Sequence, residues 1–322
     1  MSSNVNKKAA RKAKRQEEEN AKRLLDEKKI AAQERRDVKT RIIVAAVSVV
    51  ILLVGIVGVA WYAIGQMNKG RVDTEVSLGS YRQAVEAVSS SPKNLTKEYG
   101  FLISKNGLNK PVANVPTVDV YMDFMCPGCG EFERATSKDV TKMVDAGQIN
   151  VEYHFMNFLD QYSPDKYSTR TANVAIYIAE NQPEKLPDFI SKMMEENIQP
   201  EEGSSSVPSN KDLVKYAKSV GIKEEVAEAS IKSDYSTWLD AVTKYIPKRP
   251  SLANVSGKYK GQMTTPTVTV NKKFVDLNKA SEDNISLEEA LLKSLGITKK
   301  NVGKAAVIPS VGASGAPLEL KK

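Results

Sequence analysis

Two stretches of the chain place apolar residues at every second position. Pro116 to Met125 (PTVDVYMDFM) sets Val118, Val120, Met122 and Phe124 on one face, and this alternation predicts a strand. Ile149 to Met156 repeats the pattern, with Val151, Tyr153 and Phe155 on one face and Glu152 and His154 on the other. His154 is therefore expected as a partly exposed strand residue rather than a base or ligand. Between the strands the period lengthens: Glu131 to Ala146 aligns Val140, Met143 and Val144 on one side of a helix, and Gly147 offers a stop. From Ser168 to about Lys248 the helical period dominates. Thr171 to Glu180 carries Val174, Ala175, Ile178 and Ala179; Asn210 can cap a helix bearing Leu213, Val214, Ala217 and Val220; Glu224 to Tyr245 continues the pattern. A last helix opens on Ser286 and Glu289 and presents Leu291, Leu292 and Leu295 before Gly296. The order strand, helix, strand, inserted helices, strand, helix is that of an α/β domain.

One segment is apolar without period. Ile42 to Ile64 holds no charge and would span about 34 Å as a helix, enough for a hydrocarbon layer of about 30 Å. It predicts a single N-terminal transmembrane helix in contact with the lipid bilayer, with Trp61 and Tyr62 at its outer end. A cleavable signal peptide is the alternative, but its apolar region runs about 7 to 15 residues. Fourteen Lys or Arg against seven Asp or Glu precede Ile42, so +7 of the net +8 lies in this arm. The basic side stays in the cytoplasm, which places the remainder outside the cell membrane. The same distribution excludes a nucleic-acid partner, because the folded part carries no positive excess.

These boundaries give a basic cytoplasmic tail at 1–41, the membrane helix at 42–64, a linker at 65–92, an α/β domain at 93–298 with its helical insertion at about 160–248, and a flexible tail at 299–322. The linker ends in Ser89-Ser90-Ser91-Pro92, and the tail accumulates Gly, Ala, Ser and Pro without period.

The chemistry rests on the only two cysteines, in Cys126-Pro127-Gly128-Cys129 between the first strand and its helix. A cysteine at a helix start meets unpaired N–H groups and the positive dipole end, which favour thiolate; Cys126 is the expected nucleophile. Pro127 fits at the first helical position, where a missing N–H costs nothing. Three positions apart, the two sulfurs share a face and can close a redox-active disulfide. The dipole lowers the pKa by about one unit, and the dipeptide Pro127-Gly128 adds no charge. A structural staple would close a very short loop, and a zinc site would need further ligands when only His154 and carboxylates remain. A copper carrier would ask for soft ligands with imidazole. No metal and no cofactor is expected.

The residues Met122-Asp123-Phe124, Cys126-Pro127-Gly128-Cys129-Gly130-Glu131-Phe132 and, far downstream, Thr264-Thr265-Pro266-Thr267-Val268-Thr269-Val270-Asn271 resemble the DsbA-like thioredoxin-fold disulfide oxidoreductases, here a membrane-anchored bacterial member. The resemblance covers roughly residues 95–297. It implies a thioredoxin-like fold with a helical insertion flanking the active surface, a cis peptide before Pro266 facing the disulfide, and Thr265 as the residue whose backbone pairs with an extended substrate. It also implies a buried acid that relays a proton, for which Asp123 and Asp119 are the candidates. Two positions depart from the family: Gly128, where relatives carry histidine or tyrosine, and Asn271-Lys272, where Asn-Gly is frequent. The implied activity is oxidation of thiols in exported, unfolded or partly folded proteins, followed by recharging from a quinone-linked membrane oxidase. The same site could run as a reductase or isomerase, because direction depends on potential. A non-catalytic client-binding or assembly factor is the alternative from another class.

Overall fold

Strand β3 (Thr117–Met122) lies at the heart of a six-stranded sheet in the computed structural model, which describes residues 78–320. The basic arm, the apolar stretch 42–64 and the first part of the linker lie outside the described residues. Among the described residues no helix is long and apolar enough to cross a membrane.

The strand order is β2 (Gly107–Leu108), β1 (Phe101–Ser104), β4 (Asn150–Phe155), β3, β5 (Thr267–Val270), β6 (Lys273–Phe274). β3 and β4 run parallel, with Val118 opposite Val151 and Tyr121 opposite His154; the other neighbours are antiparallel. A parallel pair needs a crossover, and α1 (Pro127–Asp145) supplies it. Its start is set by Pro127 in the first turn and its end by Gly147 at φ 70°, a left-handed conformation natural to glycine.

The inserted segment between β4 and β5 forms α2 (Tyr167–Asn181), α3 (Leu186–Met193), α4 (Asn210–Ser219), α5 (Glu224–Ser230) and α6 (Ser236–Tyr245). Ser209, not Asn210, caps α4: its hydroxyl accepts from the Asp212 N–H while the Asp212 carboxylate accepts from the Ser209 N–H. The stretch expected as one helix to Tyr245 breaks into α5 and α6 around residues 231–235. After β6 come α7 (Leu277–Glu282) and α8 (Leu287–Leu295); α8 is capped by Ser286 as its sequence indicated and closed by Gly296 at φ 68°.

The period of two sorts the sheet into unlike faces. Val118, Val120, Val151 and Tyr153 share the face that α1 covers. Phe155 stacks on Phe124 at 5.6 Å, and each such fully buried aromatic contributes about 1.5–3 kcal/mol. The opposite face is polar yet equally closed: Asp119, Glu152, His154, Thr267 and Thr269 are all buried. His154 is thus not a partly exposed strand residue. It has no solvent exposure, because Tyr121 stacks on its ring at 4.1 Å and the loop at Gly100 covers it, where even a Cβ would come within 2.6 Å of the imidazole.

Two boundary expectations are corrected as well. Residues 78–86, inside the expected linker, are helical, and Val85 is buried in the core. The C-terminal segment is ordered rather than a flexible tail as far as residue 320. The Gln148 amide donates to the carbonyls of Asn301, Lys304 and Val307, the Asn271 amide donates to Gly312 and Gly315, and Leu318 N–H donates to Ser294. Side-chain amides replace the regular ladder that an aperiodic sequence cannot form.

Candidate active site

The cysteine pair occupies the junction of β3 and α1. Cys126 is the N-cap residue of α1, with extended backbone (φ −73°, ψ 119°), and Cys129 lies in the first turn behind it. Both are free thiols, Cys126 buried apart from a small exposed surface and Cys129 more deeply so. The loop before β5 meets them from the other side. Its Thr265-Pro266 peptide is cis, and the Cys126 thiol donates to the Thr265 carbonyl at 3.2 Å. Gly128 fits under this loop, since a Cβ there would stand 3.1 Å from the Pro266 ring.

The surroundings separate the two sulfurs electrostatically. A hydrogen bond from the Cys129 thiol, helped by contacts with Thr265 and the Cys129 N–H, lowers the Cys126 pKa to about 7 against the opposing effect of burial. Burial first, and the neighbouring Cys126 second, push Cys129 well above the ordinary thiol range. Cys126 therefore titrates near neutrality and Cys129 does not. A thiol donor, rather than the helix dipole invoked from the sequence, leads the effect on Cys126.

Of the two candidate acids the structure brings Asp123 to the cysteines. It is fully buried, and its carboxylate accepts from Met125 N–H at 2.9 Å, Ser168 Oγ at 2.6 Å and Leu159 N–H at 3.0 Å. Burial outweighs these donors and raises its pKa to about 6. Its charge bears on both sulfurs. Asp119 lies two residue pairs down β3 and accepts from Thr269 and Lys272 at 2.5 Å each. Burial alone would raise its pKa, but His154 and the Lys272 ammonium together hold it below the usual carboxylate range.

Two supports escaped the sequence reading. Gln199 donates to the Cys126 carbonyl at 2.9 Å and to the Phe124 carbonyl at 3.2 Å, bracing the cysteine turn; Arg134 donates in turn to Gln199. The signal was Gly130, where a Cβ would fall 1.9 Å from the Gln199 oxygen. Asn254 holds the opposing loop by donating to Thr264 Oγ1 at 3.0 Å and the Gln262 carbonyl at 2.7 Å. The assembled site offers an ionisable, accessible sulfur, a buried partner sulfur, a titrating acid and a backbone edge.

The family model described as thioredoxin matches residues 110–289. Serine/threonine-protein kinase PknE of Mycobacterium tuberculosis is 35% identical over 119 residues, 36% of this chain and 21% of the kinase, so the chain matches about a fifth of that relative's length. Among solved structures, reduced DsbA from M. tuberculosis is 26% identical with a TM-score of 0.45, covering 60% of this chain and 92% of that one. MdbA of Corynebacterium diphtheriae, a thiol-disulfide oxidoreductase, is 22% identical with a TM-score of 0.46, covering 64% and 98%.

Proposed function

The chain belongs to the thioredoxin family, matched over more than half its length, and from that premise we propose that it is a protein thiol-disulfide oxidoreductase that introduces disulfides into exported proteins through Cys126 and Cys129. The observation that carries this reading is the Cys126 sulfur, held at a helix tip 3.2 Å from the Thr265 carbonyl with its pKa near 7. In the oxidised enzyme a substrate thiolate attacks the Cys126 sulfur, the Cys126–Cys129 bond breaks, and Cys129 leaves with the electron pair. A second substrate thiolate then attacks the substrate sulfur of the mixed disulfide and expels Cys126 as thiolate. A group that ionises near 7 is a good leaving group at this step. The half-buried Thr265 and Pro266 supply the edge on which an extended client lies.

Both enzyme cysteines end reduced, and the sequence contains no third. A second protein must therefore remove two electrons, and a quinone-linked membrane oxidase fits an enzyme that needs no cofactor of its own. The test is oxidation of a reduced, unfolded protein by the full chain, paired with a glutathione titration of its Cys126–Cys129 couple. A potential well below that of the glutathione pool, with reduction of clients favoured, would reverse the assigned direction.

Asp123 is assigned the proton that Cys129 gains when the disulfide opens and loses when it recloses. During recharging Cys129 must give up that proton, so the ionised form of Asp123 is the working base. The rate should rise with pH through two inflections, one near 6 from Asp123 and one near 7 from the Cys126 thiol, and Asp123→Asn should lower the plateau roughly tenfold or more and erase the lower one. Stopped-flow measurement of reoxidation from pH 5 to 8 reads both. An inflection near 6 that survives the substitution removes Asp123 from the relay.

The apolar stretch 42–64 and the basic arm before it support an anchor that leaves the catalytic domain outside the cell membrane. In intact cells, after mild reduction, a membrane-impermeant maleimide is expected to label Cys126 as fully as a permeant one. Labelling that appears only after lysis would place the domain on the other side.

A further inference from the structure

On the polar face of the sheet, away from the cysteine pair, lie two carboxylates that share one ammonium. Asp119 on β3 and Glu152 on β4 are directly opposite in the parallel register and have 0% and 3% of their side-chain surface exposed. Lys272 bridges them, at 2.5 Å from Asp119 Oδ1 and 2.7 Å from Glu152 Oε2. One ammonium, with the His154 imidazole beside it, thus faces two carboxylates in a buried setting, where uncompensated charge is costly.

His154 adds a second, independent observation. Its ring is fully buried, neither ring nitrogen has a hydrogen-bond partner, and Nε2 points into the same group, 3.5 Å from Glu152 Oε1 and 3.7 Å from Asp119 Oδ1. Buried imidazole nitrogens are ordinarily satisfied. Ligand atoms on one tetrahedral zinc, each about 2.0–2.2 Å from the ion, stand about 3.4 Å apart, close to these separations. One ligand atom from each of the three residues lies within 4.8 Å of the others. The Thr269 hydroxyl donates to Asp119 Oδ2 and the Thr96 hydroxyl to Glu152 Oε1, in the way that hydrogen-bond partners orient carboxylate ligands.

We infer that Asp119, Glu152 and His154 form a divalent-cation site of zinc type, closed by the Lys272 ammonium, which a bound ion displaces. Lys272 is able to leave: it is in the β5–β6 turn at φ 64°, and 41% of its side-chain surface is exposed. A divalent ion in its place balances both carboxylates and gives His154 Nε2 an acceptor for its lone pair. One imidazole with two carboxylates suits Zn²⁺, and Co²⁺ serves as its spectroscopic substitute.

The test uses the full, untagged chain carrying Cys126→Ser and Cys129→Ser, so that the thiols cannot bind metal. Calorimetric titration with Zn²⁺ and absorption with Co²⁺ are expected to give one equivalent per chain. Affinity should weaken at least about tenfold in His154→Gln, in line with losing one ligand, and tighten about tenfold in Lys272→Met. Absence of one-equivalent binding by the parent at millimolar Zn²⁺, or undiminished binding by His154→Gln, overturns the site. Affinity unchanged in a folded Lys272→Met overturns the role of the lysine; if that variant does not fold, the parent and His154→Gln decide the site.

Discussion

Replacing Cys126 by serine is expected to reduce oxidation of a reduced client protein to the uncatalysed background, the largest functional loss any single substitution in this chain should produce. A serine hydroxyl neither forms the disulfide nor ionises near neutrality, whereas the Cys126 thiol does so at about 7. Replacing Cys129 should have a different signature. The Cys126 thiolate can still attack a client disulfide and expel one client thiolate, but Cys129 is no longer there to displace the client from Cys126, so covalent mixed disulfides with clients should accumulate. They should appear on non-reducing gels and collapse with dithiothreitol. Because Cys129 is the more deeply buried thiol with the raised pKa, it should not substitute for Cys126 as the attacking group. Normal client oxidation by Cys126→Ser would defeat the catalytic reading. It would favour a binding factor that holds clients at Thr265 and Pro266 without sulfur chemistry.

The parts of this site that were legible in the sequence are those whose cause is local. Cys126 and Cys129 are defined by their spacing and by the strand and helix around them. The face of β3 and the stop at Gly147 follow from periodicity and glycine. The cis peptide before Pro266 could be expected only from family resemblance, since nothing in the neighbouring residues specifies it. What escaped depends on partners far along the chain. Gln199 reaches the Cys126 carbonyl from 73 residues away, and Ser168 reaches Asp123 from 45. His154 reads as exposed from alternation alone, because one covered face is the default for a sheet with antiparallel strands; here Tyr121, Gly100 and Lys272 close the second face. The ordered segment 302–320 lacks any period, and its placement is set by the Gln148 and Asn271 amides.

Glu133 illustrates a buried acid whose position the helical period does betray. Cys129, Thr136, Val140 and Met143 form the buried stripe of α1, and Glu133 falls on the same stripe. Among the described residues its carboxyl accepts from Ser191 Oγ, at 2.6 Å, and burial raises its pKa from 4.5 to about 7. In the unfolded chain the group releases its proton near 4.5; in the folded protein it keeps it until about 7. The folded state therefore binds more protons in that interval, and stability falls as pH rises from about 4.5 to 7, then levels off. At about 1.36 kcal/mol per unit the full loss is about 3 kcal/mol. Asp123, raised to about 6, adds a loss of the same sign, so the parent profile alone does not isolate Glu133. Glu133→Gln does: it keeps an oxygen for Ser191 and has no proton to release. Urea unfolding should find the variant within about 0.5 kcal/mol of the parent at pH 4.5 and more stable by about 3 kcal/mol at pH 8. A difference that is the same at both pH values would mean that Glu133 titrates in the folded protein as in the unfolded chain, and that Ser191 with neighbouring water suffices to hold the charge.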